Sequence, residues 1–181
     1  IEFAQGQASA GNIIRIHPSI TRQEIDGIGS SFTEASAFVL AHLDKDKRVE
    51  VMKKIYGEEG ANFSLTRTHI GSCDFSVEGK YSYLDKNGDT QLKSFSIKSD
   101  KDGFDPIKYP GIKDQTYDLL PMIKEAIEIK NQQKDSELRI IASAWTAPPW
   151  MKDIEEYFIK GTPENNYQGT GGKLKSGYEE T

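Results

Sequence analysis

Residues 139–152 read Arg-Ile-Ile-Ala-Ser-Ala-Trp-Thr-Ala-Pro-Pro-Trp-Met-Lys, and this stretch decides the fold class. Its first six residues are mostly apolar without polar alternation, which is typical of a parallel-sheet strand covered on both faces. Pro148 and Pro149 lack backbone donors and keep the preceding residues extended, so the strand must end near Thr146. Trp145 therefore lies at the carboxyl end of a strand, where it either plugs the core or faces a ligand. The stretch by itself favours the plug.

A second strand is predicted over residues 62–70, where Arg67 and His69 continue an otherwise apolar face. We interpret Arg67 as a clamp that pairs with an internal carboxylate near the chemistry, and His69 as a core histidine with satisfied hydrogen bonds. The alternative is that both side chains face a site. Asp74 follows this strand at the same sheet end as Trp145, although an Asp in that position is most often a turn former or helix cap.

The remaining predicted elements alternate between strands and helices. They are strands over 12–16 and 23–28, a strand-to-helix turn over 27–32, a helix over 33–42, a helix capped by Asp44, and a helix with Pro121 in its first turn. The turn is not a dinucleotide fingerprint, because Phe32 stands where the third glycine should be. Three βα units follow, which predicts an α/β protein with a parallel sheet.

Two long polar segments separate these elements. Residues 76–114 contain two strand-like stretches, 80–84 and 91–97, around a turn signal, and a loop of this length usually shapes a site. Residues 160–177 are predicted to form a mobile loop rather than a phosphate cradle, because no Gly-Lys-Ser/Thr triplet occurs there. Residues 178–181 look like the beginning of a helix.

Three strands cannot close a barrel, and a complete (β/α)₈ barrel takes about 250 residues. The chain of 181 residues is therefore either a small open α/β domain or the first part of a barrel. We expect the second, because a natural domain seldom stops in the first turn of a helix after a flexible loop.

Composition and charge exclude several classes of protein. The chain has 23 basic and 28 acidic residues and no basic stripe, so nucleic acid is not an expected partner. It has no apolar run long enough for a membrane span and no signal-peptide pattern after Ile1. Cys73 is the single cysteine, which excludes an internal disulfide and a cysteine-based metal site. No metal or cofactor is predicted.

Three blocks of sequence resemble a known family. They are Gly27-Ile-Gly-Ser-Ser-Phe-Thr-Glu34, Arg67-Thr-His-Ile-Gly-Ser-Cys-Asp-Phe-Ser76 and Ala142-Ser-Ala-Trp-Thr-Ala-Pro-Pro-Trp-Met-Lys152. In order, spacing and type they resemble the first three strand ends of the glucosylceramidase-like glycoside hydrolases of family 30, over about residues 23–181. The resemblance implies that residues 23–181 are part of a (β/α)₈ catalytic barrel and that residues 1–22 give a strand to a β-sandwich side domain. It also favours a secreted or extracytoplasmic protein.

The resemblance also implies roles for individual residues. Asp74 matches the glycone-binding aspartate, Trp145 the sugar-contacting tryptophan, and Phe75 the aromatic residue at the site mouth. Arg67 matches the strand arginine that steadies the catalytic carboxylate. Glu34 stands where the family varies between Asp and Glu, so no role follows for it.

No catalytic residue is predicted within the chain. In the family the acid/base glutamate follows an Asn at the end of the fourth strand and the nucleophile ends the seventh, so both are expected beyond Thr181. Glu155, Glu156 and Glu164 lie in loop contexts without a matching Asn-Glu-Pro. The chain alone is therefore predicted to be inactive.

The leading hypothesis is the amino-terminal part of a retaining β-glycosidase that acts on β-glucosides or glycolipids, with the remainder of the barrel as its structural partner. Members of the family also act on β-1,6-glucans, xylosides or fucosides. The alternatives are a non-catalytic carbohydrate-binding module that uses Asp74 and Trp145, and a purely structural α/β domain.

Overall fold

A computed structural model describes residue 11 and residues 14–178 of the chain. Within them the strands are β1 (Ser31–Phe32), β2 (Leu65–Ile70) and β3 (Arg139–Ala144). The α-helices are α1 (Glu34–Ala41), α2 (Lys45–Tyr56) and α3 (Leu119–Asn131). Short 3₁₀ turns lie at Lys98–Asp100, Pro149–Met151 and Pro163–Asn165.

The three strands form one parallel sheet in the order β1-β2-β3. Ser31 pairs with Arg67 on β2, and Arg67 pairs in turn with Ile141 on β3. Parallel neighbours require crossover connections, and helices supply them here. The predicted α/β class with a parallel sheet is confirmed, and the carboxyl ends of all three strands lie at one edge.

The first strand lies later in the chain than predicted. Residues 23–28 are not in a strand, and β1 falls inside the segment interpreted as a turn. The reason is close backbone approach: a Cβ on Gly29 would lie 1.3 Å from the Leu65 carbonyl oxygen, so only glycine lets this segment run beside β2. Of the other predicted strand, 12–16, residues 12 and 13 lie outside the described part of the chain, and residues 14–16 are not in a strand.

The helices begin close to their predicted positions. The Thr33 hydroxyl caps α1 by accepting the Ser36 amide at 3.2 Å. Asp44 occupies the N-cap of α2 but makes no side-chain cap bond, and its carboxylate pairs instead with Lys113 at 2.8 Å. The helix α3 begins at Leu119 after the cap residue Asp118, so Pro121 is its third residue.

The main hydrophobic core lies between the sheet and the helices. Its buried members come from β1, the three helices and the segment before α3: Phe32, Ala37, Leu40, Ala41, Met52, Tyr56, Phe104, Tyr117, Leu119, Met122, Ile123, Ala126 and Ile129. Burial of these side chains fixes the helices against one face of the sheet.

The strand β3 is much more exposed than the sequence predicted. Ile141 is 57% exposed and Trp145, just after the strand, is 43% exposed. Within the described residues β3 is therefore not covered on both faces as predicted, and it is the last strand of the sheet, with β2 as its neighbour.

The long polar segment before α3 is ordered by carboxylates. The strands predicted at 80–84 and 91–97 are absent from the described residues. Instead the fully buried Asp100 carboxylate accepts the Tyr81 hydroxyl at 2.5 Å and also the Tyr83 hydroxyl. Asp89 likewise accepts the amide and hydroxyl of Ser94, both at 2.6 Å. Side-chain bonds of this kind replace a strand ladder.

The segment after β3 folds back on itself. Two isolated antiparallel bridges join Lys152 to Leu174 and Ile159 to Thr170. Tyr178 is not helical, and residues 179–181, which complete the predicted helix start, lie outside the described residues. Among the helices described, none has the length and apolar character needed to cross a bilayer.

Candidate functional site

The residues singled out from the sequence lie beyond the carboxyl ends of β2 and β3. Ile70 and Ala144 are paired at the last position of these two neighbouring strands. Asp74 follows four residues after Ile70, and Trp145 directly follows Ala144. Ligands of parallel α/β proteins bind at this end of the sheet, because the loops that carry functional side chains begin there.

Asp74 presents its carboxylate to solvent. Its side chain is 63% exposed and lies 3.3 Å from the Lys80 ammonium. The same ammonium donates to the Cys73 carbonyl at 3.3 Å, and it lies 5.0 Å from the ring centre of Phe158. Lys80 thereby connects the loop after β2 to the loop after β3. Lys80 is not marked in the sequence, because a lysine in a polar loop carries no distinctive signal.

Trp145 lies over Arg67 and is not buried in the core of the described residues. The guanidinium carbon of Arg67 is 5.4 Å from the ring centre of Trp145, and the Arg67 Nε donates to the Ser143 hydroxyl at 3.0 Å. The indole is half-exposed, so its outer face is accessible. Within the described residues the partners of Arg67 are a hydroxyl and an indole, and the carboxylate predicted for it is not among them.

Phe75 lies on the other side of the site. Its ring is 61% exposed and borders a shallow cavity of about 720 Å³, which is otherwise lined by residues between 30 and 33 and by side chains of α1 and α2 such as Val39 and Ile55. Its carbonyl accepts the Ala35 amide at 3.1 Å. The structure thus brings Arg67 and Trp145 into contact and places Phe75 toward α1.

An apolar cavity of about 410 Å³ lies next to the ends of β2 and β3. It is lined by Ile70 and Ala144 from the strands and by Leu84, Phe95 and Met151 from the loops. The cavity lies on the side of the sheet opposite to the exposed Ile141 face, since Ile70 and Ala144 alternate with Ile141 in the pleat.

The prediction that His69 is a core histidine with satisfied hydrogen bonds is confirmed. It is buried, its Nδ1 is 2.6 Å from the Gly71 carbonyl oxygen, and its Nε2 is 3.3 Å from the Glu34 amide. The carbonyl can only accept, so Nδ1 carries the proton and Nε2 accepts from the amide. His69 therefore fixes backbone and does not face a site.

Glu34 is the main feature near the site that the sequence does not mark. It is fully buried, and its Oε2 accepts the amides of Val77 and Glu78, the second at 3.3 Å. Burial raises the pKa of Glu34 to about 7, although these two amide bonds oppose the rise. Asp118 and Asp100 add to the rise through their negative charges. In sequence, an acidic residue after an N-cap threonine signals an ordinary helix start and not a buried carboxyl.

The glutamates that were not nominated as catalytic have loop surroundings. Glu155 pairs with Lys175 at 2.6 Å, which lowers the pKa of Glu155. The part of the chain that the structure describes has no group of three His, Cys, Asp or Glu side chains that could hold a metal ion.

Comparison with known proteins assigns the family. Residues 25–174 match the glycosyl hydrolase family 30 TIM-barrel domain. The chain belongs to this family. The family 30 match covers all three strands of the sheet and the residues discussed above, and the three βα units are part of a TIM-barrel domain.

The relatives of this family 30 chain include a putative glucosylceramidase and an endo-1,6-beta-D-glucanase. It is 32% identical over 140 residues to putative glucosylceramidase 3 of Caenorhabditis elegans, covering 77% of this chain and 23% of that protein. It is 30% identical over 149 residues to the endo-1,6-beta-D-glucanase of Neurospora crassa, covering 82% and 27%. The crystal structure of SrfJ from Salmonella typhimurium superposes with a TM-score of 0.62 at 27% identity, covering 85% of this chain and 27% of that one. The chain thus spans about a quarter of the length of these relatives.

Proposed function

We propose that the chain is the amino-terminal part of a retaining β-glycosidase that hydrolyses β-glucosides such as glucosylceramide. In this proposal the chain supplies glycone-binding residues, and two catalytic glutamates come from the rest of the barrel. The observation that carries the proposal is that Asp74 and Trp145 follow the paired ends of adjacent parallel strands in a family 30 chain.

The exposed Asp74 carboxylate and the half-exposed indole suit a sugar ring. A carboxylate accepts hydrogen bonds from two neighbouring hydroxyls, and charge-assisted bonds of this kind contribute about 1.5–3 kcal/mol each. An indole face covers the apolar C–H face of a pyranose ring. Arg67 beneath Trp145 holds the indole, because its own guanidinium is fixed by Ser143.

The chemistry requires two carboxyl groups about 5–5.5 Å apart, one to attack the anomeric carbon and one to protonate the leaving oxygen. Water then hydrolyses the glycosyl-enzyme intermediate, and the configuration is retained. In this proposal the 181-residue chain binds and orients the glycone but performs no turnover by itself.

The second candidate substrate is a β-1,6-linked glucan, which is favoured by the resemblance to the Neurospora crassa enzyme. The full-length protein should be assayed with glucosylceramide and with a β-1,6-glucan at equal glycoside concentrations. We expect glucosylceramide to be hydrolysed with the larger kcat/KM. Preferential release of glucose oligomers from the glucan would assign the second substrate, and turnover of neither β-glucoside would refute the proposed function.

A binding module without catalysis makes a different prediction. It should bind glucose-configured ligands in both the 181-residue chain and the full-length protein and hydrolyse them in neither. Turnover by the full-length protein therefore separates the two hypotheses.

A further inference from the structure

The first turn of α1 is tied to the segment that carries Asp74 and Phe75. We call residues 71–78 the 71–78 turn. The Glu34 carboxylate accepts the amides of Val77 and Glu78 at the far end of this turn. The Ala35 amide donates to the Phe75 carbonyl at 3.1 Å, in the middle of the turn.

A third connection runs through His69. The Glu34 amide donates to Nε2 of His69 at 3.3 Å, and Nδ1 of the same ring donates to the Gly71 carbonyl at 2.6 Å. Ala35 and Glu34 of α1 therefore hold the middle and the end of the 71–78 turn directly, and its beginning is held by His69 of β2, to which the Glu34 amide is bonded. Asp74 lies between these points of attachment, with its carboxylate directed to solvent.

The burial of Glu34 is not required by the helix. Thr33 is the N-cap of α1 and already accepts an amide of the first turn. Glu34 is 0% exposed, and its Oε1 has no hydrogen-bond partner among the residues that the structure describes. Burying a carboxyl group costs free energy unless the group is hydrogen-bonded, and the two hydrogen bonds that the Glu34 carboxyl accepts come from the 71–78 turn and not from the helix.

We propose that Glu34 is a positioning residue that fixes the 71–78 turn so that the Asp74 carboxylate points at the bound sugar. The inference rests on the proposed function, because it assigns to Glu34 an effect on the glycone subsite. It predicts that Glu34 acts through Asp74 and not through the stability of α1.

Three substitutions separate positioning from stability. Glu34→Gln keeps an oxygen that can accept the Val77 and Glu78 amides, whereas Glu34→Ala removes the acceptor. Thr33→Ala is the matched control, because it removes the cap of the same helix but no bond to the 71–78 turn. In the full-length enzyme we expect Glu34→Ala to lower kcat/KM for an aryl β-glucoside by roughly 10- to 100-fold, since small misplacements of binding groups have effects of this size. Glu34→Gln and Thr33→Ala should each stay within about threefold of the unsubstituted enzyme.

A double-mutant cycle with Asp74→Asn tests the route of the effect. If Glu34 acts by placing the Asp74 carboxylate, Glu34→Ala should lower kcat/KM by no more than about threefold when Asp74→Asn is already present. If Glu34 has a merely structural role, the two substitutions should act independently, so that their fold losses in kcat/KM multiply. That outcome, or equal losses of kcat/KM in Glu34→Ala and Thr33→Ala, would overturn the inference while leaving the proposed function intact.

Hydrogen exchange in the full-length protein gives a readout that is independent of catalysis. We expect the Val77 and Glu78 amides to exchange at least about tenfold faster in Glu34→Ala and at a nearly unchanged rate in Glu34→Gln. Unchanged exchange in Glu34→Ala would show that the turn holds its shape without this carboxyl and would overturn the inference. A full-length protein that hydrolyses no β-glycoside would refute the proposed function and, with it, the effect of Glu34 on a glycone subsite.

Discussion

Trp145 and Trp150 are five residues apart and have opposite surroundings. Trp145 is 43% exposed over Arg67, whereas Trp150 is 7% exposed and donates its indole N–H to the Leu84 carbonyl at 2.8 Å. Trp150 also packs edge-to-face on Tyr178, with ring centres 5.3 Å apart. At the scale of single residues, one tryptophan is available for a ligand and the other stabilises the fold.

This pair gives a matched test of the glycone-binding assignment. Trp150→Ala should destabilise the protein by about 3–5 kcal/mol, the usual cost of removing a buried aromatic side chain. Trp145→Ala should cost less than about 2 kcal/mol, because half of the ring is already in water, but should lower kcat/KM of the full-length enzyme by roughly 10- to 100-fold. Denaturant unfolding and kinetics of both variants provide the comparison. A large loss of stability in Trp145→Ala with normal kinetics of the folded fraction would refute sugar stacking.

Asp74→Asn should reduce turnover without affecting the fold. The side chain is exposed and its ion pair with Lys80 is a surface contact, so stability should change by less than about 0.5 kcal/mol. The kcat/KM of the full-length enzyme should fall by roughly 10- to 100-fold, because the amide cannot accept charge-assisted bonds from the sugar as the ring flattens toward an oxocarbenium ion. The exposed Asp102 offers the control Asp102→Asn, which should have normal kinetics. Normal kinetics in Asp74→Asn as well would remove Asp74 from the subsite.

The buried Glu34 makes stability depend on pH in an unusual direction. Its pKa in the folded chain is about 7, above the ordinary value of 4.5, so the folded state holds this proton more tightly than the unfolded state does. The stabilising contribution is therefore fully present below about pH 4.5 and is lost as the pH rises through about 7. Asp118, with its pKa raised to about 6 mainly by burial, acts in the same sense at lower pH.

We expect the unfolding free energy of the chain to fall between pH 5 and pH 8, with Glu34 accounting for no more than about 3 kcal/mol of the change. Glu34→Gln should flatten the profile, and the difference between the two profiles isolates Glu34 from the other ionisable groups around it, which are His69, Asp100, Asp118 and Glu78. Parallel pH profiles for the unsubstituted protein and Glu34→Gln would contradict the raised pKa of Glu34.

The positions of Asp74 and His69 could be predicted from the sequence, because the strand pattern of β2 places both of them. The end of β2 placed Asp74 at the rim, and the apolar face of β2 predicted a buried His69. Glu34 could not be found in this way, because its burial depends on the 71–78 turn folding over it, a contact 43 residues away in the chain. The carboxylate partner predicted for Arg67 stays a prediction, since within the described residues the partners of its guanidinium are Ser143 and Trp145.

At the scale of elements, the loop after β3 is held by a buried lysine. Lys152 is 3% exposed, and its ammonium donates to the Thr146 hydroxyl at 2.7 Å, the Tyr157 carbonyl at 2.6 Å and the Gly171 carbonyl at 2.9 Å. Burial lowers the pKa of Lys152. The three acceptors lie at the beginning, the middle and the end of the loop, so the Lys152 ammonium holds these three parts together.

Lys152→Met should keep most of the side-chain volume and remove all three bonds. The carbonyl and hydroxyl oxygens then lose a charged donor, so we expect a destabilisation of about 2–4 kcal/mol and faster proteolysis between residues 157 and 171. Lys173→Met is the control, because Lys173 is exposed and its contacts to Asp153 are made by its backbone. Equal stability and equal cleavage rates in the two variants would show that the loop does not depend on the Lys152 ammonium.

Predictions of whole elements succeeded where periodicity or capping decided them. All three helices and strands β2 and β3 lie near their predicted positions. The strand β1 was displaced because Gly27 and Gly29 are read as turn residues in sequence, whereas in the fold they permit close approach to β2. The strands predicted within 76–114 failed because carboxylates such as Asp100 satisfy this loop in place of a partner strand.

At the scale of the whole molecule, the sheet is a partial barrel wall. The family match assigns a TIM-barrel domain, and the chain spans about a quarter of its relatives. The exposed Ile141 on β3 fits a strand that is covered in a complete barrel. The sequence predicted that both faces of β3 are covered, and the described residues alone do not cover both. A β-sandwich contribution from residues 1–22 remains a prediction, because most of the first 13 residues lie outside the described part of the chain.

We propose that this chain is the sugar-binding part of a retaining β-glycosidase whose two catalytic glutamates come from the rest of the barrel. The most direct test is the anomeric proton signal of the sugar released from an aryl β-glucoside, followed by NMR for the full-length protein and for the 181-residue chain. We predict that the full-length protein first releases the β-anomer and that the chain alone releases none. First release of the α-anomer, or turnover by the purified chain alone, would contradict the account.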